Sequence, residues 1–248
     1  MEISDFRFFR FDSKKDGKDA TKNLQYMKKF VIILTVSYNF RIAFGGHIMD
    51  NNLHELVFVL DHSAEIKDLY DDAEKGFKAL IASQKKAGAS TSVTLNIFGS
   101  EYINVFDNTP IEKVKLSKEI FPLSGVCSLI DSAEKAIYDV GERLNRTYEG
   151  CRPSKVIVTF VTFGRDNASK KHTYDELAEI IKRQTEVYKW SFFLITDFSI
   201  NMEKMNIPED NTIILKKNKP DCFTRAYEEL DKKISSLRTK VLEENAQG

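Results

Sequence analysis

The chain has no surplus of charge of either sign: Lys plus Arg and Asp plus Glu each number 37. Such a balance gives no general attraction to phosphate backbones or anionic membranes, which argues against a nucleic-acid module or a membrane-bound one. Cysteine is scarce. The three present, Cys127, Cys151 and Cys222, are odd in number and widely spaced. They form neither a disulfide framework nor a metal-ligand pattern, and they point to a reducing cytoplasm. The four histidines, His47, His54, His62 and His172, show no ligand spacing; His62 alone adjoins a candidate site, and it reads as a surface residue. No G-x-G-x-x-G or Walker-type loop follows any predicted strand, so a nucleotide would lack its phosphate cradle. No nucleophile–base–orienter set is recognisable, and the chain reads as a non-enzyme. Long apolar runs are missing too. Residues 30–36 follow Met27, Lys28 and Lys29 in the manner of a secretory signal. The run is short, no small-residue cleavage site follows, and Asn39 and Arg41 stop it well before membrane-spanning length.

What is present is alternation. At 248 residues and 42% hydrophobic, the chain can build one sizeable core. The most informative stretch is ELVFVLDHSAE, residues 55–65. Its apolar run, Leu56 to Leu60, reads as a strand buried on both faces, and it ends abruptly at Asp61 with Ser63 just beyond. Ile66, Leu69, Tyr70, Ala73, Phe77, Leu80 and Ile81 then recur at helical spacing. SVTLNIF (92–98) and EYINVF (101–106) are separated by Gly99 and Ser100 alone, which predicts a tight antiparallel hairpin. Leu129, Ala133, Ile137, Val140 and Leu144 mark a second helix, and KVIVTFVTF (155–163) reads as a central parallel strand. Thr173 and Glu176 have the spacing of a capping box, opening a helix through Leu177, Ile181 and Tyr188. WSFFLIT (190–196) and TIIL (212–215) supply two more strands, and Ala226, Leu230, Ile234, Leu237 and Val241 line a closing helix. The expectation is a doubly wound α/β domain: a mostly parallel sheet with one antiparallel edge strand and helices on both faces.

The first 50 residues stand outside this rhythm. FRFFRF (6–11) interleaves aromatics with arginine, but six residues are thin support for a nucleic-acid platform, and an edge strand or a disordered tail fits better. Met49 lies four residues before the first core strand. Residues 1–48 therefore read as an accessory extension or as non-native sequence from an upstream start, 49–242 as the domain, and 243–248 as a polar, frayed tail.

Four blocks, in this order, carry a resemblance: ELVFVLDHSAE (55–65), LSGVCSLIDSAEKAI (123–137), VIVTFVTFGRDNAS (156–169) and QTEVYKWSFFLIT (184–196). Over residues 53–240 the chain resembles the von Willebrand factor A domain family, in its small single-domain bacterial and phage form. The resemblance implies a metal-ion-dependent adhesion site on three loops at the carboxyl edge of the sheet. The family pattern is D-x-S-x-S after the first strand, a threonine before an L-x-D-A helix, and an aspartate in a T-D-G turn. Mg²⁺ wants six oxygens at near-octahedral geometry, so the ligands must converge from separate loops. Here Asp61 and Ser63 match the first two ligands and are the candidate metal residues. Glu65 stands for the second serine, Cys127 for the threonine and Phe163 for the turn aspartate, whereas Asn167, Ala168 and Ser169 resemble the downstream part of that turn.

A thiol is a poor Mg²⁺ ligand and phenylalanine offers no oxygen, so the expectation is a degenerate site without a cofactor. The alternative is weak Mg²⁺ or Mn²⁺ binding, with Glu65 and water replacing lost ligands. The implied function is binding of another, unidentified protein. Plainer roles stand beside these: Asp61 and Ser63 as caps of the following helix, Cys127 and Phe163 as packing residues, and Asp131 as a complement to its helix dipole. The enzyme alternative is a haloacid-dehalogenase-type phosphatase, which resembles D-x-D at this position. Ser63 stands where the second, acid-donating carboxylate is required.

Overall fold

The computed structural model describes residues 52–117, 125–197, 202–216 and 219–247. The expectations for residues 1–48 lie outside this set. Strand β1 is His54–Asp61, and a 3-10 turn, Ala64–Leu69, leads into helix α1, Tyr70–Lys86. Strands β2, Thr91–Phe98, and β3, Tyr102–Pro110, form the hairpin. Helix α2, Leu129–Arg146, leads to β4, Lys155–Val161; helix α3, Tyr174–Tyr188, leads to β5, Ser191–Thr196. Strand β6, Thr212–Ile214, and helix α4, Cys222–Gln247, complete the order. The closing helix thus runs to Gln247, past Val241, where its apolar stripe ends in the sequence.

The six strands lie in the order β3-β2-β1-β4-β5-β6. All neighbours are parallel except β2 and β3. The hairpin goes further than its sequence suggested, with β3 pairing up to Pro110 across register shifts near Leu95. The bulge lets Asp107 and Asn108 be carried along the edge, Asn108 taking φ +42° to do so.

Alternation along β1 divides the core in two. Leu56, Phe58 and Leu60 pack with Phe77 and Leu80 of α1 and with Phe223, Leu230 and Ile234 of α4. Val57 and Val59 face the other way, onto Leu129, Ala133, Ile137 and Val140 of α2 and Leu177 and Ile181 of α3. A strand covered on both faces has no polar side to show, which is why Leu56 to Leu60 reads as an unbroken apolar run. Among the described residues, no helix is long and apolar enough to cross a membrane.

The starts of α3 and α4 are held by side chains. Thr173 and Glu176 form the expected capping box at α3, the Thr173 hydroxyl accepting from Glu176 N and the Glu176 carboxylate accepting from Thr173 N. Asp72, in the first turn of α1, accepts from Phe223 N at 2.8 Å and from the Thr224 hydroxyl at 2.6 Å, tying the start of α4 to α1. The strand order reverses between β1 and β4, and in an open α/β sheet the crevice at that point is where ligands bind.

Candidate functional site

Three chain segments meet at that crevice. Strand β1 ends at Asp61, which is 4% exposed. The turn after β4 brings in Thr162 and Phe163, and the approach to α2 brings in Cys127, which is fully buried. Asp61 is the hub. Its Oδ1 accepts from Ser63 N at 2.8 Å. Its Oδ2 accepts from the Thr162 hydroxyl at 3.1 Å, from Phe163 N at 3.1 Å and from the Cys127 thiol at 3.6 Å. Burial, and after it the neighbouring Asp61 carboxylate, push the Cys127 thiol up, so it stays protonated and serves as a donor.

The five sequence-predicted residues do not share one role. Asp61 and Cys127 are in direct contact. Phe163 joins them only through its backbone: its ring, 8% exposed, packs against Phe223 at 6.0 Å between centroids, in the core under α1 and α4. Ser63 takes the N-cap position of the 3-10 turn, yet its side chain caps nothing. Its hydroxyl is buried, with no hydrogen-bond partner among the described residues. The capping role open to Ser63 in the sequence is therefore not the one it plays. Glu65 is exposed, and its carboxylate lies over the T-F-G turn: a Cβ added to Gly164 would stand 1.7 Å from Glu65 Oε2. Gly164 adopts φ +117°, a conformation that favours glycine, so both the turn and the seat of Glu65 require it.

The rim of the crevice is laced across loops. Asn167 Oδ1 accepts from Cys127 N at 2.9 Å, and Cys127 O accepts from Asn167 N and Ala168 N. Asp166 accepts from Ile130 N, in the first turn of α2, and from the Ser169 hydroxyl. Asp131 accepts in return from Lys170 N, Lys171 N and His172 N. Burial raises the Asp131 carboxyl, but these backbone donors together with His172 outweigh it and hold the group below its ordinary range. Asp131 thus clamps the start of α2 to the 170–172 segment, more than it complements a helix dipole. Asp166 is a site-shaping residue that the sequence reading passed over; its D-N-A-S context, in which Asp accepts from backbone groups two and three residues on, was the available signal.

One expectation is overturned. His62 is buried, 7% exposed, with its ring edge-on to Tyr70 at 6.0 Å. The chain turns inward at His62, whose N–H donates to Phe98 O, and that carries the ring under α1.

The donor set does not suit a hard divalent cation. Asp61, the one intact carboxylate ligand, already carries four protein donors, and the Thr162 hydroxyl points its proton at it. Cys127 offers a neutral thiol and Phe163 an N–H, where octahedral Mg²⁺ needs oxygens. Among the described residues, no group of three or more His, Cys, Asp or Glu side chains is placed to hold a metal ion.

A doubly wound sheet with its crevice at the β1/β4 switch, entered by an Asp-x-Ser turn, is a von Willebrand factor A-like fold. Comparison with solved structures agrees. Proximal thread matrix protein 1 of the mussel byssus superposes with a TM-score of 0.51 at 15% identity, over 76% of this chain and 47% of that one. The same protein with a zinc-occupied metal-ion-dependent adhesion motif gives 0.52 at 16% identity, with the same coverage of each chain. A point mutant of the PilB minor pilin of Streptococcus sanguinis gives 0.51 at 12% identity, over 76% of this chain and 62% of that one. The chain spans about half the length of the mussel protein. No protein-family model matches the sequence, and no curated protein matches it.

Proposed function

We propose that this is a non-enzymatic protein-interaction domain that uses its carboxyl-edge loops without a bridging metal. The observation that carries the reading is the state of Asp61: four protein donors converge on the carboxylate where the family plan would place a cation. Hydrogen bonds from two N–H groups, a hydroxyl and a thiol offset the cost of burying that charge, so the crevice holds its shape with protein groups alone. The von Willebrand factor A-like fold supports an interaction role, and the partner is a protein recognised by the loops around Gly125, Val126 and Gly164. The three free cysteines support a reducing, cytoplasmic setting.

The phosphatase reading gains nothing from the geometry. A nucleophilic Asp61 would need access to substrate, and it is 4% exposed with both oxygens engaged. A generic phosphatase assay with Asp61→Asn as control is expected to be blank; Asp61-dependent turnover would reverse that choice. The interaction reading is tested by affinity capture from the native cell in EDTA and in Mg²⁺. Equal recovery of the same partner in both is expected, whereas recovery in Mg²⁺ alone would restore the metal-dependent alternative.

A further inference from the structure

Away from the crevice, at the amino end of β1, we propose that Glu55, Arg143 and Asp107 form an acid-sensitive latch tying the β3 edge strand to α2. Glu55 is 0% exposed and, by alternation, shares the face of Val57 and Val59 under α2. Its Oε1 accepts from the Arg143 guanidinium of α2 and, at 2.7 Å, from the Thr94 hydroxyl of β2. Its Oε2 is buried with no hydrogen-bond partner among the described residues. Arg143 is shared: its Nε donates at 3.0 Å to Asp107 of β3, whose side chain is 56% exposed. Thr94 is shared too, because its hydroxyl oxygen accepts from Asn108 N at 3.0 Å. Asn108 is the edge residue held at φ +42°. One buried carboxylate therefore anchors the helix directly and the bulged edge through a hydroxyl.

The charges that face Glu55 are few. Helix α2 supplies Arg143 and β3 supplies Asp107, while β2 presents the neutral Thr94 and the β4 residue opposite is Val156. His54, next along β1, turns to Arg238 of α4. Burial pushes the Glu55 carboxyl up, Arg143 and Thr94 pull it back only in part, and the Asp107 charge adds to the rise. Protonation cancels the charge that grips Arg143. The guanidinium then answers to Asp107 and to Asp139 and Glu142, which line the adjoining groove. Neutral pH keeps α2, β1 and the bulge joined, and acid frees the helix and the β3 edge from β1. Because the folded carboxyl lies above its unfolded value, taking the proton also lowers the cost of burying Glu55. The latch thus opens without unfolding the domain.

The test is an NMR titration of the full chain between about pH 4.5 and about pH 8. It reads the Glu55 side-chain carboxyl carbon, the Arg143 Nε–H and the Asn108 amide. All three should move with one midpoint, above the ordinary glutamate range. In Glu55→Gln the Arg143 and Asn108 signals should no longer move over that interval. In Asp107→Asn the shared midpoint should fall, because the like charge is gone. Asp107 is exposed, so its variant keeps the fold and remains informative if Glu55→Gln does not. A Glu55 midpoint at or below the ordinary range would overturn the latch. So would Arg143 and Asn108 signals that ignore Glu55, or an unmoved midpoint in Asp107→Asn.

Discussion

At the scale of single residues, the central fact is the number of groups that depend on Asp61. Replacing it with alanine strands Ser63 N, Phe163 N, the Thr162 hydroxyl and the Cys127 thiol in a buried crevice. Leaving buried donors unsatisfied costs about 1–3 kcal/mol each where water cannot enter. Asp61→Ala should therefore lose about 3 kcal/mol or more in urea denaturation, and Asp61→Asn, which keeps one acceptor, should lose less. Equal stability of Asp61→Ala and wild type would mean that the network is idle. That the loops carrying Asp61, Cys127 and Phe163 meet is what the family resemblance implies, and the hydrogen bonds of Cys127 and of Phe163 N to Asp61 bring the three together. What each side chain does was not legible in the sequence. Whether Phe163 turned into the crevice or into the core depended on Phe223, 60 residues away, and His62 was misread because burial under α1 is a tertiary outcome.

At the scale of elements, the interlock of the 166–172 loop with the start of α2 makes a pH prediction. The folded Asp131 carboxyl lies below its unfolded value of about 3.9. A depressed carboxyl contributes stability that is complete above the unfolded value and disappears as pH falls through the folded one. The acid limb of a stability–pH curve should therefore be shallower below about pH 4 in Asp131→Asn than in wild type. Superimposable acid limbs would contradict the clamp. The α1–α4 contact gives a second element-scale test. A Cβ on Gly76 would stand 2.7 Å from Tyr227 Cδ2 and 2.9 Å from Thr224 Cα, the latter being backbone. Gly76→Ala should thus lose about 1–3 kcal/mol in thermal or chemical denaturation, although alanine is the better helix former. A gain would show that the two helices slide apart freely. The capping box at α3 and the β2–β3 hairpin were readable because both are encoded within a few residues, although the turn takes in Glu101 as well as Gly99 and Ser100, Phe98 pairing with Tyr102. The Asp72 tie to α4 and the Asp131 clamp join segments distant in sequence, and no local pattern announces them.

Across the whole molecule, one buried network was hidden in plain pattern. Arg238, 2% exposed, donates to His54 Nδ1 at 3.1 Å, to Thr91 Oγ1 at 2.6 Å and to Gln84 Oε1, joining α4, β1, β2 and α1 at the end of the sheet opposite the crevice. Burial holds its guanidinium below the ordinary arginine range, with Asp231 the opposing influence. Its position continues the i+4 row of Ala226, Leu230 and Ile234, so the helix period marked it as inward-facing even though its chemistry suggested a surface residue. Arg238→Met keeps the volume but leaves those acceptors unpaired, and should cost about 2–4 kcal/mol in urea denaturation. An unchanged midpoint would show that the acceptors find other partners. Fold was more legible than site for a reason that applies to the chain as a whole. Sheet order and helix faces follow from repeated apolar periods, whereas the site depends on how a few replaced ligands settle among their neighbours.

The account stands most directly on whether the crevice needs a cation. Calorimetric titration of the full chain with Mg²⁺ and Mn²⁺ decides this, with Asp61→Ala as the reference. No saturable heat is expected from the wild type at millimolar metal, and no rise in melting temperature should accompany it. A saturable heat that vanishes in Asp61→Ala would mean that the carboxylate exchanges its protein donors for an ion, and the metal-free account would be wrong.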